Sequence, residues 1–158
     1  MPILRLATSA DHSALAALFV EMQAHYQVPC PEPDAVLAGL AERPAGAELL
    51  LAEHEGDLLG FAAFAPIYPG PGLQPGFFLK ELYVAASARG GGIGAALMRE
   101  LARLALERGF QRIDFTAARD DQRLRRFYEE LGAAVHPEKV FYRITGEALT
   151  RLGADAET

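Results

Sequence analysis

From Arg89 to Ala95 the chain reads Arg-Gly-Gly-Gly-Ile-Gly-Ala, four glycines beside one fixed cation. Glycines leave backbone amides uncovered, and the helical spacing that starts at Ile93 adds the unpaired donors and the positive dipole end of a first helical turn. Such a place suits a phosphate or a diphosphate, and the Arg89 guanidinium can approach the same anion. A tight strand-to-helix turn would use the same glycines without binding anything, but the position between a buried strand and a long helix favours the anion. The chain has no Gly-Lys step, so this is not a nucleoside-triphosphate loop. A dinucleotide fingerprint would need a third glycine where Ala95 or Leu97 stands, and it would belong to an alternating strand-helix array, whereas this turn follows two antiparallel strands. Asp114 imitates the ribose-binding acid of that fingerprint, but it lies inside a strand and reads as a decoy.

Other chemistry is sparse. The lone cysteine, Cys30, sits between two prolines and can neither close an internal disulfide nor hold a structural metal, so it reads as a passive thiol. His12, His25, His54 and His136 have no metal-ligand spacing to one another, and no metal is expected. The net charge of -6 divides unevenly: residues 1–88 hold three basic and ten acidic side chains, residues 89–158 twelve basic and eleven acidic. An anionic ligand on the C-terminal half and a cationic one near the N-terminal half would fit this division, as would simple solvated surface charge. A nucleic-acid binder would want a contiguous cationic face, and a chain that is acidic overall is a poor candidate, so no nucleic-acid partner is expected. No window approaches the length of a membrane span, and MPILRLATSADHS lacks the basic segment and apolar core of a secretory leader, so no membrane partner and a cytoplasmic location are expected.

These residues need a scaffold. With 158 residues, 51% of them apolar, the chain is long enough for a single domain with one core, and only the tail from about residue 153 reads as disordered. Ile3 to Leu6 reads as a strand. Asp11 can cap a helix carrying Leu15, Leu18, Phe19 and Met22 on one stripe and ending near Tyr26. A short helix over about Asp34 to Glu42 follows, then Glu48–Glu53 and Leu58–Ala65 as a hairpin. The proline- and glycine-rich stretch Tyr68–Gly76 is a loop. Phe77–Val84 has apolar residues on both faces and reads as a strand in the middle of the sheet. A long helix runs from Ile93 with Leu97, Leu101, Leu104 and Arg108 on its stripe and Gly109 as C-cap. A strand over Arg112–Thr116, a helix over Asp121–Leu131 stopped by Gly132, a strand over Val140–Ile144 and a tail helix from Glu147 complete the chain. The fold class is α/β of the α+β kind, a mixed and mostly antiparallel sheet flanked by helices.

Arg-x-x-Gly-x-Gly after a strand ending Leu-Tyr-Val resembles the acyl-CoA loop of the GNAT family of N-acetyltransferases. The segment Arg126-Phe127-Tyr128-Glu129-Glu130-Leu131-Gly132 resembles that family's Phe-Tyr-x-x-x-Gly segment, at its usual distance downstream. Residues 77 onward are similar to diamine and spermidine/spermine acetyltransferases, including the aromatic strand at Phe141-Tyr142 and the Gly-Glu-Ala-Leu helix after it.

The resemblance implies a sheet whose two central strands splay, and direct acetyl transfer from acetyl-CoA to a primary amine of a small molecule. The diamine, polyamine or amino-acid-like class comes first. Acetylation of a protein N-terminus or lysine, or a non-catalytic CoA-binding sensor on the same fold, are the alternatives. Backbone groups of Leu82, Tyr83 and Val84 would hold the pantetheine arm and acetyl carbonyl. Arg89 and the amides of Gly90, Gly91, Gly92, Ile93, Gly94 and Ala95 would hold the diphosphate. Asp121, Gln122, Arg123 and Leu124 would line the coenzyme further along. Tyr128 matches the tyrosine that protonates the departing sulfur; the core stripe of Leu124, Phe127 and Leu131 is its other explanation. The acid of the diamine enzymes falls on Lys80, one residue before Glu81, and one residue along a strand is the opposite face unless a bulge re-aims it. Lys80 would repel a cation, and Gln27 stands where those enzymes have an acid. Tyr26, Gln27, Lys80 and Glu138 match substrate-facing positions, and the family implies a homodimer.

Overall fold

The structure, a computed structural model, describes residues 1–156. It falls into two compact units, Met1–Ala117 and Ala118–Thr158.

The first unit is built on a sheet of five strands in chain order: β1 (Ile3–Leu6), β2 (Glu48–His54), β3 (Asp57–Ile67), β4 (Gly76–Val84) and β5 (Ile113–Asp114). All neighbours are antiparallel except β4 and β5, which run parallel. The mixed, mostly antiparallel sheet flanked by helices is the expected fold. Its two faces follow the two-residue period of β2. Leu49 and Leu51 turn to helices α1 (His12–His25) and α2 (Pro33–Ala41), packing with Leu15, Leu18, Leu40, Phe61 and Tyr83. Leu50 and Ala52 turn to helix α3 (Ile93–Glu107), whose stripe Ile93, Leu97, Leu101 and Leu104 closes over Ala62, Phe64, Phe77 and Leu79. Arg108, next on that stripe, leaves the apolar contact for a bidentate pair with Glu48 at 2.5 and 2.8 Å. Gly109, at φ 78°, then ends the helix in a Schellman turn, its amide on Leu106 O and that of Phe110 on Ala105 O.

Asp11 precedes α1 as expected but does not cap it. Its carboxylate accepts two bonds from Arg5 at 2.8 Å and the Thr8 amide at 2.7 Å, which closes a 3-10 turn at Ser9–Asp11. The Arg5 guanidinium, also bonded to Glu53 across the β1–β2 pair, holds the Asp11 carboxyl well below the usual carboxylate range.

Strand β4 is not in the sheet's middle along its whole length. β3 lies beside it throughout, but β5 pairs only Phe77 with Ile113 and Phe78 with Asp114. From Leu79 to Val84 that side of β4 has no ladder partner among the described residues. The apolar side chains on both faces of this stretch are covered by helices instead: Leu82 and Val84 pack on the α3 cluster and Tyr83 on the α1 cluster. The expected strand over Arg112–Thr116 shrinks to two residues for the same reason: β5 diverges and loses its ladder.

Gly60 of β3 lies opposite Val84. A Cβ there would stand 2.7 Å from the Tyr83 carbonyl oxygen and 3.3 Å from Val84 Cα, both backbone atoms that cannot swing aside. Gly60→Ala is therefore expected to destabilise the fold by about 1–3 kcal/mol, as overpacking does. Gly39→Ala, in α2 with nothing within 4 Å, should instead gain about 0.5–1 kcal/mol. Denaturant titration of the two variants side by side checks both signs.

The second unit holds helices α4 (Gln122–Glu130) and α5 (Gly146–Asp155). Asp121 caps α4, its carboxylate accepting the Leu124 amide at 3.0 Å. Gly132, at φ 104°, ends it in a second Schellman turn, with the amides of Gly132 and Ala133 on Glu129 O and Tyr128 O. The expected strand over Val140–Ile144 is absent. Its aromatic and β-branched residues have strand propensity, but a strand exists only with a ladder partner, and among the described residues none pairs with it. Val140, Phe141, Tyr142 and Ile144 are all exposed, Tyr142 at 85%. α5 starts one residue before Glu147 and continues through residues 153–155, which the sequence suggested as tail; residues 157 and 158 lie outside the described residues.

Candidate active site

The candidate site of the first unit is the unpaired side of β4 and the turn it runs into. The Ala85 amide donates to Leu59 O at 2.8 Å. In an antiparallel pair hydrogen-bonded and non-bonded partners alternate. Tyr83 with Phe61 and Glu81 with Ala63 are therefore the bonded pairs, and Leu82 and Val84 are the non-bonded ones, opposite Ala62 and Gly60. The peptide groups of Leu82 and Val84 thus turn away from β3, to the side that β5 leaves after Phe78. Residues expected to hold an extended amide-rich arm thus face a side with no ladder partner among the described residues, Val84 O alone accepting from Arg89 Nε.

A bulge sits in the same strand. Phe64 pairs with Leu79 and Ala63 with Glu81, so Lys80 is the extra residue. Phe77 and Leu79 face α3. An unbroken two-residue period would put Glu81 with them, but the bulge turns it to the opposite face, the side of Tyr83 and α1. The acid that looked one residue out of place is re-aimed by the strand itself. Lys80 donates to Glu81 Oε1 at 3.3 Å and stays exposed.

Beyond Val84 a 3-10 turn, Ala86–Ala88, leads to the glycines. Gly90 (φ 83°) and Gly92 (φ 79°) are left-handed, a conformation costly to other residues, and a Cβ on either would meet nothing within 4 Å. Gly92 is the N-cap of α3, and the first ladder bond runs from the Ala96 amide to Gly92 O at 3.0 Å. The amides of Ile93, Gly94 and Ala95 therefore have no intrahelical acceptor, and no side chain caps them. Open amides at a helix's positive end are what a diphosphate needs. Arg89 lies beside them, its Nε donating to Val84 O and its Nη2 to Tyr83 Oη, both at 3.1 Å.

Sequence reasoning missed one residue here. Glu21 of α1 accepts the Tyr83 hydroxyl at 2.5 Å and the Ala86 amide at 3.1 Å, and these donors hold its carboxyl below the usual range. The only sequence signal was an acid flanking the stripe of Leu18 and Met22. Tyr83 is 4% exposed. Burial, aided by the bond to Glu21, pushes its phenol up to about 12. Its proton is thus held more tightly folded than unfolded. The resulting stability is fully present below about pH 10, where a free tyrosine ionises, and is lost as pH rises through about 12. Spectrophotometric titration should show one of the five tyrosines ionising late, with unfolding free energy falling over that same interval.

At the end of α1, His25 stacks edge-on against Tyr26 and Tyr83, with ring centroids 5.1 and 5.9 Å apart. Tyr26 is thereby tied to the network around Tyr83. Gln27 follows at φ 57°, in the left-handed region.

In the second unit Asp121, Gln122, Arg123 and Leu124 form the start of α4, with Asp121 occupied as its cap. Tyr128 is 8% exposed, and its ring lies 5.2 Å from that of Phe127. Glu138 is exposed and bonded to His136 at 3.1 Å. Among the described residues no three His, Cys, Asp or Glu side chains could hold a metal together, and no helix is long and apolar enough to cross a membrane.

The model of the protein family described as "Acetyltransferase (GNAT) family" matches residues 14–133. L-ornithine N5-acetyltransferase NATA1 of Arabidopsis thaliana is 31% identical over 93 residues, which are 59% of this chain and 41% of that protein. The match thus spans about two fifths of the length of that curated relative. Among solved structures, an integron cassette protein, VCH_CASS6, from the mobile metagenome of V. cholerae is similar with a TM-score of 0.89 at 29% identity, covering 96% of this chain and 97% of that one. Ribosomal-protein-alanine N-acetyltransferase from Brucella melitensis biovar Abortus 2308 follows at 0.73 and 26%, covering 90% and 99%.

Proposed function

We propose that this chain, which belongs to the GNAT family of acetyltransferases, transfers the acetyl group of acetyl-CoA directly to a primary amine of a small molecule of the diamine, polyamine or amino-acid-like class. The observation that carries this is the continuous run from the unpaired edge of β4 into the uncapped amides of α3. Leu82 offers its backbone donor and acceptor, and Val84 its amide, to a pantetheine arm, whereas Tyr83, expected beside them, spends its own backbone groups on Phe61 and Val84 O accepts from Arg89. Arg89 and the amides from Gly90 to Ala95 offer donors suited to a diphosphate. Asp121 to Leu124 serve the coenzyme further along. A family match running through residues 14–133 crosses the boundary of the two units, which supports treating both as one functional domain.

Bound acetyl-CoA supplies an activated thioester carbonyl. The residues must supply proton traffic. An alkylamine of pKa near 10.4 is only about 0.04% neutral at pH 7, so the attacking nitrogen has to lose a proton. Glu81, re-aimed by the bulge, takes it. As nitrogen bonds to the carbonyl carbon it releases its second proton to solvent, the carbon–sulfur bond breaks, and the Tyr128 hydroxyl gives a proton to the departing sulfur and is reprotonated from solvent. No covalent enzyme intermediate is needed.

The acceptor is held from the α1 side, where Tyr26, Gln27 and Glu81 belong, with Glu138 as a further acid. Lys80 pairs with Glu81 and disfavours a highly charged polyamine, so a monoamine or amino-acid-like acceptor fits better. The relative named for ornithine supports the same class. A protein N-terminus is the second possibility, favoured by the likeness to a ribosomal-protein-alanine acetyltransferase. The enzyme works without a metal, in the cytoplasm, with neither nucleic acid nor membrane as partner. It acts as a homodimer, for which the exposed apolar run Val140–Ile144 offers a surface.

A thiol-release assay with acetyl-CoA over diamines, ornithine and other amino acids, aminoglycosides and peptides tests this. Turnover with a small amine supports the proposal. Turnover with peptides alone replaces it by the second possibility, and coenzyme binding without release to any amine makes the chain a sensor.

A further inference from the structure

Glu21 has no part in the chemistry above, yet it ends a chain of hydrogen bonds that starts at the diphosphate turn. Arginine has only donors. Arg89 Nη2 therefore donates to Tyr83 Oη, and the single phenolic proton is left for Glu21 Oε2. The order from guanidinium to phenol to carboxylate has one possible direction, with a charge at each end. The same carboxylate oxygen holds the Ala86 amide, the first residue of the turn that leads to Arg89. The Arg89 guanidinium carbon also lies 5.3 Å from the centroid of the Tyr83 ring, itself fixed by burial. Two of the three guanidinium nitrogens are engaged in this way. The third, Nη1, has no hydrogen bond among the described residues.

An untethered arginine beside a glycine turn loses rotamer freedom each time it binds an anion. A tethered one has lost it already. Arg89 lies near enough to Glu21 to help keep its carboxyl ionised, so this acid is compensated and is a poor ligand for an ammonium group. We propose that Glu21 is a positioning residue for the coenzyme's diphosphate: it holds Arg89 through Tyr83 and the entry to the amide turn through Ala86. The inference rests on the acetyl-CoA assignment above and adds to it a residue on a different helix, remote in sequence from the motif.

Calorimetric titration of the full chain with CoA, and with pantetheine, which lacks the diphosphate, tests it. Glu21→Ala and Tyr83→Phe should each weaken CoA about tenfold, about 1.4 kcal/mol. Arg89→Ala should do the same, and the Glu21→Ala/Arg89→Ala double variant should be weaker than Arg89→Ala alone by clearly less than tenfold, the remainder being the Ala86 contact that does not pass through Arg89. Pantetheine should compete equally well for all of them. Glu21→Gln keeps the shape and an acceptor for Tyr83 but drops the charge, so a loss of about threefold is expected; it decides the matter if Glu21→Ala does not fold. CoA affinity unchanged in both Glu21 variants, losses that add in full with Arg89→Ala, or an equal loss for pantetheine would overturn the inference. A wild-type chain that binds no CoA would instead overturn the acetyl-CoA assignment, and the inference with it.

Discussion

Gly91→Asp will leave the protein folded and deprive it of acetyl-CoA binding. Gly91 is the one residue of the triple glycine outside the left-handed region, and a Cβ there meets only Ala88 O, at an ordinary 3.5 Å. The aspartate is accommodated without strain, and a carboxylate before the first turn of α3 suits the helix dipole by about 0.3–1 kcal/mol. In the proposed binding mode the same charge faces the diphosphate. Two like charges about 4 Å apart repel by about 4 kcal/mol at the effective dielectric of a protein surface, so affinity should fall by at least about a hundredfold. Gly91→Ala, with the Cβ but not the charge, should lose only a few-fold. Calorimetry gives the affinity and a thermal melt the stability. Unaltered binding by Gly91→Asp would remove the turn from the coenzyme site, whereas a collapsed melting temperature would make the loss uninformative about charge and leave Gly91→Ala to decide.

Tyr128→Phe should separate chemistry from binding. The ring is nearly buried and lies against Phe127, so the phenylalanine keeps the packing and the variant should melt close to the wild type. What it lacks is the proton that the proposed mechanism gives to the sulfur. General acid catalysis is worth about 10²–10⁴-fold, so thiol release under saturating acetyl-CoA should drop by about that factor while the affinity for CoA stays unchanged. Full turnover in Tyr128→Phe would end its assignment as the acid and return it to the core stripe of α4. A parallel fall in CoA affinity would mean that the hydroxyl holds the coenzyme rather than protonates its sulfur.

The elements were legible wherever local pattern decides. The α3 stripe and its glycine stop, the β2–β3 hairpin and the amide turn all follow from residue types a few positions apart. What was not legible depends on partners. A bulge is a property of a strand pair, so no two-residue period read along β4 alone could reveal that Glu81 leaves the face of Phe77 and Leu79 and joins that of Tyr83. The unpaired edge of β4 was hidden because apolar residues on both its faces suggest a strand in the middle of a sheet, while helices cover those faces, α3 over Leu82 and Val84 and α1 over Tyr83, and say nothing of the edge. Val140–Ile144 has the composition of a strand and lacks the neighbour that would make it one. Asp11 is spaced as a cap and is taken by Arg5, a residue on another element. Glu21 was the largest omission at the site, because an acid beside an apolar stripe is ordinary until the fold sets a tyrosine and an arginine against it.

The account stands on the amides from Gly90 to Ala95. Backbone amide NMR of the labelled chain, titrated with CoA and then with pantetheine, tests them most directly. The account predicts that CoA moves the amide resonances of residues 90–95 most strongly, and that pantetheine moves those of Leu82 and Val84 while leaving the turn unmoved. Shifts centred elsewhere, with the turn unmoved by CoA, would contradict it.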